Sequence, residues 1–340
     1  MRVGVLGVNH KLAGLELREL LAKICSRRLH PSQSTHGEHS LILLSTCNRT
    51  EIYFSSEDLA ETHSYLLNVL RQDISEDFDQ KLYSYFGQDC LHHLCRVTAG
   101  LDSAIVAETE IQGQVKNAYE TAQEYHKIRF DLHYLFQKSL GIAKKVRAVL
   151  PTRPGLPDIG QAILQTGQHL FKSPVDQKIL FVGASDINEN ILMFLKGKQL
   201  QQISLCNRSY DTGKKTAEKL GVEFVQWNEI SSWHRYDWII FGTKSPDILL
   251  DNHMIPEGLK KRKLVIDLSV PRNVSPSVGK HKQVTLLNID QLNRRLKVRR
   301  KHLSNTLLLA EDLINKTTGV QMHLFQEKEK NRLRLCAISA

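Results

Sequence analysis

Apolar positions along the chain follow two patterns, and the change from one to the other divides it. In the first half, short apolar runs at 3–8, 41–44 and 52–54 predict strands. A helix is expected over 15–24 and a polar loop over 31–40, and helical repeats follow near 57–71, 88–99, 103–124 and 130–149. This mixture predicts an α/β unit over 1–149. The stretch LPTRPGLPD then sets three prolines and a glycine in a row of helix-breaking positions, which predicts a linker at 150–158. Beyond it the pattern is regular. Apolar runs at 179–182, 203–206, 223–225, 238–241, 264–268 and 284–287 alternate with helix-length segments. That alternation predicts a parallel, doubly wound sheet over 150–290, a fold that binds its ligand at the carboxyl ends of the strands. From Asn288 onward one long helix is expected, forming a third segment over 291–340. Its 302–325 stretch is amphipathic through Leu303, Leu307, Leu308, Leu309, Leu313 and Ile314, so it needs a partner surface.

A chain of 340 residues exceeds one ordinary core, which agrees with several domains. With 41% hydrophobic and 24% charged residues the composition is that of a soluble globular protein. No apolar run is long enough to cross a membrane, and MRVGVLGVNHK reads as a strand rather than a signal peptide, so the cytoplasm is the expected compartment. The six cysteines, at 25, 47, 90, 95, 206 and 336, show no spacing of a disulfide framework. CLHHLC at 90–95 invites a metal. It lies in a helical pattern where those side chains do not converge, and no metal is expected. The net charge of +10 favours a polyanionic partner. The basic run Arg294, Arg295, Lys297, Arg299, Arg300 and Lys301 is either a solvated helix face or a phosphate-backbone contact.

The candidate chemistry centres on LLSTCNRTEIY at 43–53. Cys47 stands at the carboxyl end of a predicted strand, flanked by Thr46, Asn48 and Arg49. A thiol there is either a small buried residue at a turn or an exposed nucleophile. Arg49, two residues on, would raise its thiolate fraction or clamp a substrate carboxylate. In the second half, FVGASDINEN follows the first strand where a dinucleotide fold carries its phosphate turn. Gly183 supplies the first glycine of that motif, while Ser185 and Asn188 occupy the second and third glycine places. A serine Cβ stands where the backbone should approach a pyrophosphate, and Asp186 adds a like charge. The second strand ends in LCNRS, without the acidic residue that an NAD ribose site carries. Asn207, Arg208 and Ser209 would suit a 2′-phosphate, so NADP fits better than NAD; the alternative is a turn capped by Ser209 or Asp211. FGTKSP at 241–246, with Thr243, and DLSVPRNVSP at 267–276 would line a nicotinamide pocket.

Five segments together resemble the glutamyl-tRNA reductase family: GVNHKLAGLELRE at 7–19, LLSTCNRTEIY at 43–53, HLCRVTAGLDS at 93–103, ETEIQGQVKNAY at 108–119 and DLSVPRNVSP at 267–276. The resemblance implies a ferredoxin-like α+β catalytic domain, a Rossmann domain for NADPH, and a long spinal helix leading to a dimerisation segment. It implies Cys47 as nucleophile, His93 beside the substrate, and substrate contacts from Thr46, Asn48, Arg49, Ser103, Glu108, Glu110 and Gln114. The cofactor would be held by Gly183, Ala184, Ser185, Asn207, Arg208, Ser209 and Thr243. The implied reaction is NADPH-dependent reduction of glutamyl-tRNA to glutamate-1-semialdehyde through a Cys47 thioester, the first step of five-carbon tetrapyrrole biosynthesis. The implied partners are glutamyl-tRNA, the aminomutase that takes the aldehyde, and a second copy of the chain, although the tail to Ala340 is short for a dimerisation bundle. The sequence departs from the family at three places. The glycine turn reads Gly183-Ala184-Ser185, Ala107 and Glu110 replace a glycine and a glutamine, and the linker after Arg147 differs. Two other readings stand beside this one: a weakened homologue that binds glutamyl-tRNA or a pathway partner and regulates, and a generic NADP-dependent reductase.

Overall fold

The structure, a computed structural model, describes residues 1–30, 39–74, 78–104, 110–150, 159–171, 173, 176–296 and 304–338. The chain forms two compact units, one of Met1–Pro154 with Arg300–Ala340 and one of Gly155–Arg299.

The first unit opens with strand β1 (Gly4–Asn9), helix α1 (Leu15–Arg28), strands β2 (Ser40–Ser45) and β3 (Arg49–Ser55), helix α2 (Leu59–Arg71) and strand β4 (Tyr83–Phe86). The sheet order is β2-β3-β1-β4 with every pair antiparallel. This is the split βαβ arrangement of a ferredoxin-like domain. Strand periodicity sends alternate residues to opposite faces. Leu6, Val8, Ile52 and Phe54 pack with Leu21, Ile24, Leu66 and Leu70 of α1 and α2. Val5, Ile42, Leu44 and Tyr53 face the other way, against α3 (Gly87–Thr98), α4 (Glu110–Tyr125) and α5 (Phe130–Val149). Strand β4 carries no apolar run in the sequence. Its four residues YSYF are half-buried or exposed, and pairing with β1 alone makes them a strand.

The final helix, α10 (Ser304–Ile338), lies on this unit against α3 and α5. Ala310, Ile314, Met322 and Phe325 bury one face of it. Arg96–Glu311 at 3.0 Å, His92 Nε2 to Asn315 Oδ1 at 2.7 Å and the Tyr134–Phe325 ring contact fix its register. The partner surface that its pattern demands is therefore this chain's own α3 and α5. Leu308 and Leu309 stay exposed.

The second unit contains α6 (Ile159–Leu170), β5 (Ile179–Val182), α7 (Asp186–Gly197), β6 (Ile203–Cys206), α8 (Tyr210–Leu220), β7 (Glu223–Val225), β8 (Trp238–Phe241), β9 (Lys263–Asp267), β10 (Val284–Asn288) and α9 (Ile289–Arg295). The strands pair in parallel in the order β10-β9-β8-β5-β6-β7. That is the doubly wound dinucleotide-binding order, with β5 at its switch point. The apolar runs of β5, β6, β8 and β9 are buried throughout, as strands covered on both faces require. The expected single helix from Asn288 is divided. Asn288 and Gln291 form a capping box at the start of α9, which ends at Arg295 with Leu296 leaving helical geometry. Lys297, Arg299, Arg300 and Lys301 of the basic run, Leu303, and the linker at 151–158 lie outside the described residues.

Candidate active site

Cys47 sits at the tip of the β2–β3 hairpin. The turn closes with the Thr46 N–H donating to the Arg49 carbonyl at 2.8 Å. Thr46 Oγ1 accepts from the backbone N–H groups of Asn48 and Arg49, both at 3.2 Å. The Asn48 carbonyl accepts from the His10 N–H at 2.9 Å, and Nη1 of Arg18 on α1 donates to the Cys47 carbonyl at 2.8 Å. The turn is thus fixed from three sides while Cys47 remains only half-buried. The other cysteines with described surroundings are buried: burial pushes the Cys25, Cys95 and Cys206 thiols up to about 12 and raises Cys90 as well. Among these thiols Cys47 alone is accessible, as a nucleophile must be.

Arg49 has a different place from the one its spacing suggested. It is 1% exposed, with Nη1 on Glu51 Oε1 at 2.7 Å and Nη2 on the Asp102 carboxylate at 3.0 Å and carbonyl at 2.7 Å. Its guanidinium is spent on internal carboxylates rather than offered to a substrate carboxylate or to the thiol. Lys11 Nζ pairs with the other oxygen of Asp102. The result is a row of alternating charge, Lys11–Asp102–Arg49–Glu51, in which the buried ions Asp102, Arg49 and Glu51 each have a partner and the exposed Lys11 closes the outer end.

Glu51 is the hub of that row, and sequence reasoning gave it no role. Beyond Arg49 it accepts from Tyr53 Oη at 2.7 Å, from Tyr83 Oη, and from His93 Nε2 at 2.9 Å. Burial alone would raise its carboxyl. The Arg49 charge and then His93 outweigh that effect, so Glu51 stays ionised well below the usual carboxylate range. A signal was present in the sequence: residues 49, 51 and 53 share one strand face, so a Glu there flanked by Arg and Tyr in a strand implies a paired carboxylate. The Tyr83 bond crosses the central strand, because Gly7 is opposite both Glu51 and Tyr83. A Cβ on Gly7 would lie 2.8 Å from Glu51 Cγ and 3.0 Å from the Tyr83 ring, so only glycine lets these side chains meet over β1.

His93 is buried on α3 and stacked on Tyr85 at 4.8 Å. Because Glu51 is ionised, the bond to it requires a proton on Nε2, which leaves Nδ1 as the nitrogen able to accept one. The CLHHLC side chains diverge: Cys90 and Cys95 enter the core, His92 meets Asn315, and His93 meets Glu51. His10, on the segment after β1, has its pKa lowered to about 4, first by burial and then by the charges of Lys11, Arg49 and Arg18, so it is neutral at pH 7. Ser103 is 2% exposed, with an Oγ that has no hydrogen-bond partner among the described residues, one residue from the Asp102 anchor. Glu110 opens α4, Gln114 is half-buried one turn on, and Glu108 lies outside the described residues.

In the second unit the register Val182↔Cys206 and Val182↔Phe241 brings Gly183, Asn207 and Thr243 to one edge, at the strands' carboxyl ends. Gly183 has φ +99°, and a Cβ there would lie 2.5 Å from the Gly242 carbonyl oxygen. Asn207 Oδ1 accepts from the Ala184 N–H at 3.1 Å and its Nδ2 donates to the Ser209 carbonyl at 2.9 Å, so it ties the two turns together. Ser185 does not distort the turn. It has φ −92° and is the N-cap of α7, a place serine favours, with Oγ accepting from the Asn188 N–H at 3.4 Å. Asn188, at the third glycine place, is fully buried and donates to the Val182 and Gly183 carbonyls at 3.0 and 2.8 Å. It braces the turn from below. Arg208 and Ser209 are exposed, and Thr243 Oγ1 donates to Asn273 Oδ1 at 2.7 Å, which orders the loop after β8. Asp267 accepts from the Ser269, Asn273 and Val274 N–H groups and so holds the loop after β9; burial raises its pKa to about 6. A glycine turn at positive φ, a capped 12-residue helix at its end and a switch-point strand fit a dinucleotide pyrophosphate.

Comparison with known proteins agrees with both halves. The family described as glutamyl-tRNAGlu reductase, N-terminal domain, matches residues 6–149, and the shikimate / quinate 5-dehydrogenase family matches residues 165–295. A glutamyl-tRNA reductase of Akkermansia muciniphila is 32% identical over 305 residues, covering 86% of this chain and 89% of the relative. One of Aromatoleum aromaticum is 29% identical over 337 residues, covering 97% of this chain and 80% of the relative. The solved structure of glutamyl-tRNA reductase from Methanopyrus kandleri aligns at 24% identity over 98% of this chain and 82% of that one, with a TM-score of 0.48. With the hairpin thiol, the ferredoxin-like sheet and the doubly wound second unit all in place, this chain belongs to the glutamyl-tRNA reductase family.

Proposed function

We propose that this chain reduces glutamyl-tRNA to glutamate-1-semialdehyde through a thioester on Cys47, with NADPH as reductant, opening the five-carbon route to tetrapyrroles. The observation that carries the reading is the half-buried Cys47 thiol on a turn fixed from three sides, in a chain whose other described cysteines are buried.

An aminoacyl-tRNA is an activated ester. The Cys47 thiolate attacks its carbonyl carbon, a C–S bond forms, and the ester C–O bond breaks to release the tRNA 3′ hydroxyl, which takes a proton. The acyl group is then a thioester, more electrophilic than a carboxylate. A bound nicotinamide supplies the hydride that the acyl carbon needs. Loss of Cys47 as thiolate releases the aldehyde, and a thiol serves well in both attack and departure. His93, oriented by Glu51 through Nε2, is a group suited to move protons at Nδ1. Thr46, Asn48, Ser103, Glu108, Glu110 and Gln114 are the residues assigned to holding the glutamyl group, and the Ser103 hydroxyl has no partner among the described residues to compete for its proton. The Gly183–Ser185 turn and Thr243 would hold the dinucleotide. Asn207, Arg208 and Ser209, with no acidic residue at the end of β6 where an NAD ribose site carries one, support a 2′-phosphate and hence NADPH. The regulatory alternative rested in part on Ser185, and an N-cap at ordinary φ speaks against that part.

The test is semialdehyde formation from charged glutamyl-tRNA, with and without NADPH, for wild type and Cys47→Ser. NADPH-dependent product that disappears in the variant is expected. Turnover by Cys47→Ser would overturn the thioester, and tight tRNA binding without aldehyde would favour the regulator.

A further inference from the structure

The cation that serves the nucleophile turn comes from α1 and not from β3. We infer that Arg18 is the positioning residue of Cys47: its guanidinium, clamped on the Cys47 carbonyl, sets the turn and favours the thiolate. This deepens the thioester reading and rests on it.

Arg18 is 1% exposed, buried on the sheet face that α1 covers, and its Nη1 reaches across 29 residues of sequence to the Cys47 carbonyl at 2.8 Å. A guanidinium does not lose its proton in a protein, so this is a charge-assisted bond to the very residue that carries the thiol. Among the described residues, the charges felt at His10, whose N–H is bonded into the turn, are those of Lys11, Arg49, Arg18 and Asp102, and Glu51 is bonded to Arg49. Lys11 and Arg49 face Asp102 and Glu51, two cations against two carboxylates. His10 is neutral at pH 7. Arg18 is bonded to the Cys47 carbonyl. A cation fixed on a residue's own carbonyl favours the thiolate form of that residue's thiol. The carbonyl bond also opposes rotation of the Cys47–Asn48 peptide, which would swing the thiol away. Thr46 and His10 hold the neighbouring peptides, so the Arg18 bond completes a frame with at least one constraint at each residue from 46 to 49.

The experiment compares wild type, Arg18→Lys and Arg18→Met in the full chain. The first readout is the pH profile of Cys47 alkylation by iodoacetamide, followed on the Cys47 peptide by mass spectrometry; it needs neither tRNA nor cofactor. The second is kcat and KM for glutamyl-tRNA. Arg18→Met should move the alkylation midpoint up by about one pH unit. Arg18→Lys, which keeps the charge but not the planar fork, should hold the midpoint and lose about tenfold in kcat with KM little changed. A residue that is merely structural would lower thermal stability and leave the alkylation midpoint of the folded protein in place. An unmoved midpoint in Arg18→Met overturns the proposal. Should Arg18→Met not fold, wild-type kcat in Arg18→Lys overturns it instead. A shifted midpoint in a protein that makes no aldehyde would sustain the role of Arg18 and refute the reaction, so the two failures separate.

Discussion

Replacing Glu51 by glutamine keeps the shape of the hub and removes its charge. In the folded protein Arg49 would then face Asp102 alone, fully buried, and Tyr53, Tyr83 and His93 would share a single amide oxygen. Removing one partner of a buried ion pair costs about 3–5 kcal/mol, because the other charge is left uncompensated. Since the hydrogen-bond geometry survives in part, about 3 kcal/mol is expected. For a unit of this size each kcal/mol moves the midpoint by ~2–4 °C, so Tm should fall by ~6–12 °C. The pH dependence gives the sign. The folded pKa of Glu51 lies below its unfolded value, so its contribution is complete above ~4.3 and is lost as pH falls toward the folded value. Wild type and Glu51→Gln should therefore differ most near neutrality and converge in acid. Calorimetry across pH 3–8 would measure both, with Arg49→Met/Glu51→Gln closing a cycle in which the double variant is less destabilised than the sum of the singles. A Tm within a degree of wild type, or strict additivity, would refute the idea that this carboxylate organises the site.

Three further outcomes follow from particular contacts. Gly7→Ala forces a methyl between Glu51 and Tyr83 and should cost about 1–3 kcal/mol in a urea titration; an unchanged midpoint would show that the tyrosine bond is dispensable. Gly183→Ala places a Cβ on the Gly242 carbonyl at positive φ and should weaken NADPH about tenfold or more by fluorescence titration, with the first unit's thermal transition unmoved. Arg208→Glu should reduce the ratio of kcat/KM for NADPH over NADH by about tenfold or more; an unaltered ratio would move the 2′-phosphate elsewhere on the edge.

The sequence by itself determined what local patterning can carry. Strands β5, β6 and β8 fall where their apolar runs lie, because a strand buried on both faces needs an unbroken apolar run. The parallel order follows from alternation with helices, and the turn that bears Cys47 follows from a polar break between two apolar segments. Only the tertiary structure decided the rest. Strand β4 has no pattern of its own and exists through its ladder with β1, some 80 residues away. Arg49 looked like the cation for its near neighbour in sequence. Strand geometry turned it toward Glu51 and Asp102, and α1 brought Arg18 to Cys47 instead. The same holds for α10, whose apolar stripe asked for a partner without saying that α3 and α5 would provide it. Periodicity records which face of an element is apolar. Which charged groups meet is set by desolvation: once buried, each ion must find the counter-ion that folding brings within reach, at any separation along the chain.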